Sequence, residues 1–423
     1  MRIGMLSWES LYSIKVGGVA PHVSELSEAL ARRGHEVHVF TRRGDFDAYD
    51  KINGVHYQRV DFDNSGDIIA QMDKMCDAIF ERFKGVTDLF GKFDLVHAHD
   101  WHPVRALTRI RQASGLPCLI TMHSTEWGRN GNTFSDWPAA KEISHREWLG
   151  CYESNRVIVT TKRMLDELEW IYAVPEGKID IIPNGIISGK LRRSLDAGRV
   201  KERYGIHPLA PVVMFCGRMS FQKGPDLLVE AIPMVLKNRR DTKFIFVGEG
   251  GMRAECERRA RELGVADACR FLGYTSSSAK EELINACDMM CIPSRNEPFG
   301  VVVLEAWDAC KPIVATEAIS IIKNFEDGLL AYVQPESLAW CINRLLEHPE
   351  EMKKLGSAGM KRVEAEFSWD RIADRTEKVY NKVLGKNSGE STNSTKSASS
   401  GNSGNSVGKA APGRGQDRLV LNI

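Results

Sequence analysis

Two carboxylates, Glu297 and Glu305, stand eight positions apart in Glu297-Pro298-Phe299-Gly300-Val301-Val302-Val303-Leu304-Glu305. The first precedes a helical pattern and the second lies one turn inside it. The apolar run from Met289 to Pro293 reads as a strand feeding this loop. Glu297 and the backbone N–H groups of Gly300, Val301 and Val302 are therefore expected at the carboxyl edge of a sheet, where open α/β folds bind ligands. Unpaired helix amides suit a phosphate, and acids beside them suit a sugar. The structural alternative is that acids simply favour the first turn of a helix through its dipole.

A second element, Cys216-Gly217-Arg218-Met219-Ser220-Phe221-Gln222-Lys223-Gly224, also follows a strand pattern. Two fixed cations can neutralise a diphosphate as a metal ion does elsewhere, Arg bidentately; either cation alone reads equally well as a solvated basic turn. Lys15-Val16-Gly17-Gly18-Val19 precedes an amphipathic helix from Pro21 to Arg32. Its glycines permit close backbone approach at a helix N-terminus that favours an anion. In His97-Ala98-His99-Asp100-Trp101-His102 the first two imidazoles share a strand face, and Asp100 and His102 offer further metal ligands. No second His or carboxylate cluster with ligand spacing accompanies them. His123, in Thr121-Met122-His123-Ser124, sits at another strand end. Phe246-Val247-Gly248-Glu249-Gly250 and Phe271-Leu272-Gly273-Tyr274 are strand-turn patterns whose glycines admit a flat ring against the backbone. Asp45-Phe46-Asp47 and Asp61-Phe62-Asp63 have the spacing of a metal-binding pair, but lie in polar loops as solvated acids. Six of the nine tryptophans fall in the first half, where one or two rings are expected to stack on a sugar.

The elements that must position these residues alternate as short apolar runs and amphipathic helices: Ile3 to Leu6, Val37 to Phe40, Leu95 to Ala98, Cys118 to Met122, Val157 to Val159 and Ile179 to Ile182. The alternation restarts after the charged segment Ser188 to Arg203, with Val212 to Phe215, Phe244 to Val247, Met289 to Pro293 and Ile313 to Ala315. This βα rhythm predicts two doubly wound parallel sheets, and 423 residues exceed one ordinary core. We expect a first Rossmann-like domain over 1–186, a linker over 187–210 and a second such domain over 211–364. A closing helix over 365–384 and a disordered Ser/Asn/Gly-rich tail over 385–423 complete the chain.

With 57 Lys plus Arg against 56 Asp plus Glu, no broad field draws nucleic acid or an anionic membrane, so a phosphate must be captured locally. The ten cysteines include no CxxC pair and read as small buried hydrophobes in a reducing compartment. The chain enters a strand pattern at once and has no long apolar stretch, so a cytoplasmic protein without an integral membrane segment is expected.

Together these motifs resemble the retaining glycosyltransferases of family four, with the GT-B fold, and among them the glycogen and starch synthases. The likeness spans roughly residues 1 to 384. It implies that Glu297 meets the donor sugar, Glu305 the nucleotide ribose, and Phe299, Gly300, Val301 and Val302 the rest of the donor. Arg218 and Lys223 would hold the diphosphate, with Lys15, Gly17 and Gly18 against the donor phosphate and sugar. His123 would lie against the transferred sugar, Gly248 and Tyr274 beside the nucleobase, and Asp100 at the acceptor. Pro183-Asn184-Gly185 resembles the family's hinge turn, and the closing helix is implied to cross back to the first domain. The resemblance implies neither metal nor separate cofactor.

The expected reaction is transfer of a hexose, with glucose from UDP- or ADP-glucose the first expectation, to glycogen or a maltooligosaccharide. Transfer of mannose or glucose to a lipid-linked sugar, small glycoside or sugar phosphate is the alternative acceptor chemistry. The chain departs from the family after Ala315-Thr316, where Glu317-Ala318-Ile319-Ser320-Ile321-Ile322 replaces a Gly-Gly-x-Pro-Glu loop. That loop reads as shortened and lacks both glycines and the acid, so a catalytically weak nucleotide-sugar-binding homologue is the third reading.

Overall fold

The computed structural model describes residues 1–386. The tail expected over 385–423 therefore lies, from residue 387 onward, outside the described residues. Strands apolar on both faces are the requirement of a parallel sheet covered by helices on each side. The runs named above meet it. The first sheet contains β1 (Arg2–Leu6), β2 (Glu36–Arg42), β3 (Tyr49–Ile52), β4 (Val55–Val60), β5 (Leu95–His99), β6 (Cys118–Met122), β7 (Arg156–Val159) and β8 (Ile179–Ile181). Their order is β3-β4-β2-β1-β5-β6-β7-β8, and only β3 runs antiparallel to its neighbour. The second contains β9 (Val212–Cys216), β10 (Lys243–Val247), β11 (Cys269–Gly273), β12 (Met289–Ile292), β13 (Ile313–Thr316) and β14 (Leu329–Ala331), in the order β11-β10-β9-β12-β13-β14. This is the GT-B architecture expected from the sequence.

Each order reverses at one place. From β1 the chain proceeds to β2 on one side and from β5 to β6 on the other; β9 and β12 form the same divide in the second sheet. At such a switch point the two flanking loops part and leave a crevice at the carboxyl ends of the strands. The loops after β1, β5, β9 and β12 carry Gly17 and Gly18, Asp100, Arg218 and Lys223, and Glu297.

The segment 187–210, expected to be a linker, instead forms part of the second lobe. It contains the helix Ala197–Arg203, and Leu191, Val200, Ile206 and Ala210 are buried against that lobe's core. Buried Asp308 accepts from the backbone amides of Gly189 at 2.7 Å and Leu191 at 2.9 Å, which fastens the segment there. The helix Trp369–Val383 packs on the first lobe instead, putting Trp369, Ile372, Ala373, Val379 and Tyr380 into the same core as Ile3, Met5, Val23 and Leu30. Each large side chain so buried contributes ~1.5–3 kcal/mol. Its surface pairs, Arg33 with Glu377 at 2.7 Å and with Asp374 at 3.2 Å, contribute far less.

Gly224 caps the helix Pro225–Asn238 with a φ of +63°, and a Cβ there would lie 2.1 Å from the Pro293 carbonyl oxygen. This close approach ties the Lys223 turn to the chain leading into Glu297. Gly224→Ala is expected to destabilise the protein by ~3 kcal/mol or more, because strain and overlap add. Gly189→Ala, at φ +83° with open space around it, should cost only ~1–2 kcal/mol. Denaturant unfolding of the two variants measures the difference.

Candidate active site

At the second switch point the Glu297 side chain is buried and takes two hydrogen bonds at Oε2. Lys223 Nζ donates at 2.7 Å and Ser294 Oγ at 3.2 Å. An isolated carboxylate removed from water is strongly unfavourable, and the ammonium offsets that penalty. Three residues beyond, Gly300 adopts φ +91° and opens the helix Val301–Asp308, which has neither a side-chain cap nor an acid in its first turn. Its leading amides are free of intrahelical partners by geometry and face the space in front of the helix. Glu305, one turn in, pairs with Lys280 at 2.6 Å through Oε1, while its buried Oε2 has no protein partner. Arg218 is exposed in the turn after β9. Gly248 abuts that turn: its φ is +134° and a Cβ would lie 1.9 Å from the Gly217 carbonyl oxygen.

The first lobe meets this loop from three sides. Gly18 approaches Val301, with 3.8 Å between its Cβ position and Val301 Cγ2. Thr161 Oγ1 donates to the Pro298 carbonyl at 2.8 Å, and Asn296 Nδ2 to Asn132 Oδ1 at 2.6 Å. The glycine loop after β1, the loop after β6 and the turn after β7 therefore all meet the stretch 296–301.

The glycine loop differs from a free anion cradle. Glu9, buried just after β1, accepts from the amides of Val16 at 2.5 Å and Gly17 at 2.7 Å. Burial pushes the Glu9 carboxyl above its usual range, and those two bonds oppose the rise. The Gly17 amide is thus occupied, whereas Gly18 and Lys15 are exposed. Nothing in the local sequence marks Glu9 as the organiser of a loop eight residues away.

Asp100 adopts φ +57° and turns its buried carboxylate inward, accepting from the His123 backbone amide at 2.7 Å. Burial pushes its pKa up to about 6, against the Arg129 charge and the His123 amide. In this arrangement Asp100 positions the His123 backbone, a role different from the direct acceptor contact expected. The His123 ring meets His99 Nδ1 through Nε2 at 3.2 Å and lies edge-on to His22, with 4.5 Å between centroids. His22 Nδ1 is in turn bonded to Asn184 Oδ1 at 2.8 Å. His97 spans Thr121 Oγ1 at 2.7 Å and Tyr380 of the closing helix at 2.8 Å.

The metal-ligand set considered in the sequence is not assembled, because His102 stacks between Trp8 and Trp101, each centroid 4.2 Å away. Among the described residues two other groups bring candidate ligand atoms within 4.8 Å of one another: Glu36, His38 and His56 at the far side of the first sheet, and His22, His99 and His123. Those three could hold a metal ion, and they are drawn from three separate elements.

One donor expectation does not fit. The Phe299 ring is buried in the second lobe's core against Phe367, so it anchors the loop from beneath. Tyr274 is 82% exposed and touches no ring. The altered loop after Thr316 buries Ala318, Ile319 and Ile322 in that same core, so apolar packing holds a turn in place of the two glycines. Its Ala318 carbonyl accepts from Arg163 of the first lobe at 3.5 Å. Sequence reading also passed over Lys280, whose partner Glu305 lies 25 positions away. A further buried network, Arg129 with Glu147 at 2.5 Å and Glu126 at 3.1 Å, stands behind Asp100.

The family model "Glycosyltransferase Family 4" matches residues 16–188, and "Glycosyl transferases group 1" matches residues 198–362. An uncharacterized glycosyltransferase of Methanocaldococcus jannaschii is 33% identical over 387 residues, covering 90% of this chain and 98% of the relative. The glycogen synthase of Mycobacterium tuberculosis is 29% identical over 404 residues, covering 90% and 94% respectively. Among solved structures, sucrose-phosphate synthase from Thermosynechococcus elongatus shares the fold with a TM-score of 0.76 at 24% identity, over 91% of this chain and 99% of its own. The chain belongs to the GT-B glycosyltransferases of family four. No helix among the described residues is long and apolar enough to cross a membrane.

The buried histidines make stability depend on pH. Burial lowers the pKa of His97 to about 3 and holds His22 and His99 well below the ordinary value. Below pH ~6.5 the unfolded chain therefore binds more protons than the fold, so stability is complete above that pH and falls as pH drops toward the folded values. Asp100, with its raised pKa, opposes this with a single proton between its folded and unfolded values. Urea unfolding at stepped pH should show a net loss on acidification of up to ~1.4 kcal/mol per pH unit for each independent imidazole. His97→Gln, which can keep bonds to Tyr380 and Thr121, should reduce that slope by about one proton.

Proposed function

We propose that this glycosyltransferase is a retaining, metal-independent enzyme that moves glucose from a nucleoside diphosphate to an α-glucan. The observation that carries this reading is the buried Glu297–Lys223 pair beside the amides that open the helix Val301–Asp308. Anion-binding groups and a shielded carboxylate stand together where a sugar diphosphate has to be divided. Likeness to a glycogen synthase over nearly the whole chain supports the donor and the acceptor. Ten unpaired thiols support a reducing, cytoplasmic setting.

In this reading the bond between the anomeric carbon and the leaving phosphate oxygen breaks, and the diphosphate departs with the electron pair. Arg218, Lys223 and the amides of Gly300, Val301 and Val302 neutralise it. The acceptor hydroxyl forms the new bond on the same face and gives its proton to the leaving phosphate. Glu297 stabilises the positive charge that develops on the sugar, with Lys223 shared between it and the diphosphate. The partnerless Oε2 of Glu305 suits a ribose hydroxyl, and the turn at Gly248, closed against Gly217, would border the base. His123 meets the sugar, its backbone and ring set by Asp100 and His99. Closure of the lobes, through contacts such as Asn132–Asn296, would exclude water and align the partners.

Steady-state assays with UDP- and ADP-glucose, glycogen and maltooligosaccharides test the proposal. Lys223→Ala and Glu297→Ala should each lower kcat by about 10²–10³-fold, the scale of losing one preorganised charge-stabilising group. Near-normal transfer by either variant, shown folded by circular dichroism, would remove that residue's role. Treatment with a chelator should leave turnover unchanged, and loss restored by adding a divalent ion would overturn the metal-independent mechanism.

A further inference from the structure

The first lobe displays aromatic surface that the reaction above does not use. Trp170, on the helix Lys162–Tyr172, is 63% exposed, and Phe134, in the loop after the short helix Glu126–Arg129, is 67% exposed. The Trp170 ring is met edge-on by Trp127, with 5.2 Å between centroids, and by Phe134 at 6.1 Å and a tilt of 38°. The result is a contiguous set of three rings, Phe134 and Trp170 largely exposed and Trp127 half-buried. Exposing such rings is unfavourable, and contiguous aromatic surface of this kind marks a site of interaction.

The loop that carries Phe134 shows where the platform leads. Asn132 is bonded to Asn296, the residue before Glu297, and Gly131 lies against Phe221 of the Lys223 turn, where a Cβ would approach the ring to 2.6 Å. Phe134 is two residues further on, at most ~7 Å along the chain. A single stretch thus runs from the junction of the lobes to the aromatic surface. A polymer whose reacting end lies at Glu297 would have its trailing units on this side.

The fringe decides what kind of polymer. Residues 130–139, Asn-Gly-Asn-Thr-Phe-Ser-Asp-Trp-Pro-Ala, contain amides, hydroxyls and one exposed carboxylate, Asp136, but no Lys or Arg. Lys162, at the start of the Trp170 helix, is paired with Asp166 at 2.9 Å. An anionic chain or lipid headgroup would require free cations here. A neutral polyhydroxyl chain requires flat apolar faces for its C–H surfaces and hydrogen-bonding groups at the edges, and the loop supplies amides, hydroxyls and the Asp136 carboxylate, which accepts from hydroxyls and repels an anion.

We infer that Trp127, Phe134 and Trp170 form a binding platform for the unreacted length of a neutral α-glucan acceptor, outside the site of transfer. This rests on the α-glucan reading of the function. The platform holds long acceptors and is not reached by short ones.

The full-length protein and its Phe134→Ala/Trp170→Ala double variant test the inference; both side chains are exposed, so the fold does not depend on them. On glycogen the variant should show a KM raised about tenfold with kcat retained, the scale of losing stacking worth one decade of affinity. On a short maltooligosaccharide KM should stay within about twofold, because only the reacting end is bound. Retardation in a native gel containing glycogen, which needs no turnover, should be lost in the variant. If the unmodified protein elongates glucans and the variant matches it in KM and retardation, the platform is refuted while the proposed function stands. If the unmodified protein turns over nucleotide sugar but neither elongates nor binds any glucan, the acceptor reading fails and the platform with it. Sedimentation of the unmodified protein, but not the variant, with neutral or anionic phospholipid vesicles would overturn the glucan in favour of a membrane surface.

Discussion

A carboxylate taken out of water needs a partner, and the buried Glu297 sets the terms for the second lobe. Its partner Lys223 comes from the loop after β9, while Glu297 itself follows β12. The two loops can meet only because these strands are neighbours at the point where the sheet order reverses. Ser294 adds a hydrogen bond, and Gly224 lets the lysine turn approach the Pro293 backbone without overlap. Phe299 pins the loop from below by burial in the core. Charge, strand order and backbone freedom thus fix the same stretch of chain from independent directions.

The first lobe solves a different problem, that of keeping polar rings buried and oriented. His97 is held on both ring nitrogens, His99 is matched to His123, and His22 is fixed by Asn184 of the turn that leads toward the second lobe. Trp369, the first residue of the closing helix, lies edge-on to His22 at 5.4 Å. The same helix supplies Tyr380 to His97. Packing of the closing helix is therefore coupled to the layer of imidazoles beneath His123. Asp100, buried at positive φ, spends its conformational strain on placing the His123 backbone.

Much of this was legible in the residues. Runs apolar on both faces marked ten strands, from Ile3 to Ala315, since parallel sheets bury both sides. β4, Val55–Val60, escaped notice although all of it is buried, because His56, Gln58 and Arg59 interrupt its apolar character. Those side chains are held by partners on neighbouring elements: Tyr49 and Asp50 of β3 for His56 and Arg59, and Arg82 for Gln58. The segment 187–210 misled for the opposite reason. Its charges suggest a solvated linker, yet Lys201 and Arg192 find Asp288 and Asp308 on the second lobe, while Leu191 and Val200 go inside.

By itself the sequence determined the βα alternation, the two sheets and the loops that carry Arg218, Lys223, Glu297 and His123, because hydrophobic period and turn chemistry are local properties of the chain. Only the tertiary structure decided which polar groups meet: Glu9 with the glycine loop, Asp100 with the His123 amide, Lys280 with Glu305, and Asn132 with Asn296 across the lobes. Such pairings follow from strand order and from the need of each buried charge or amide for a partner. That need can be met from any distance along the chain, so no local spacing records it.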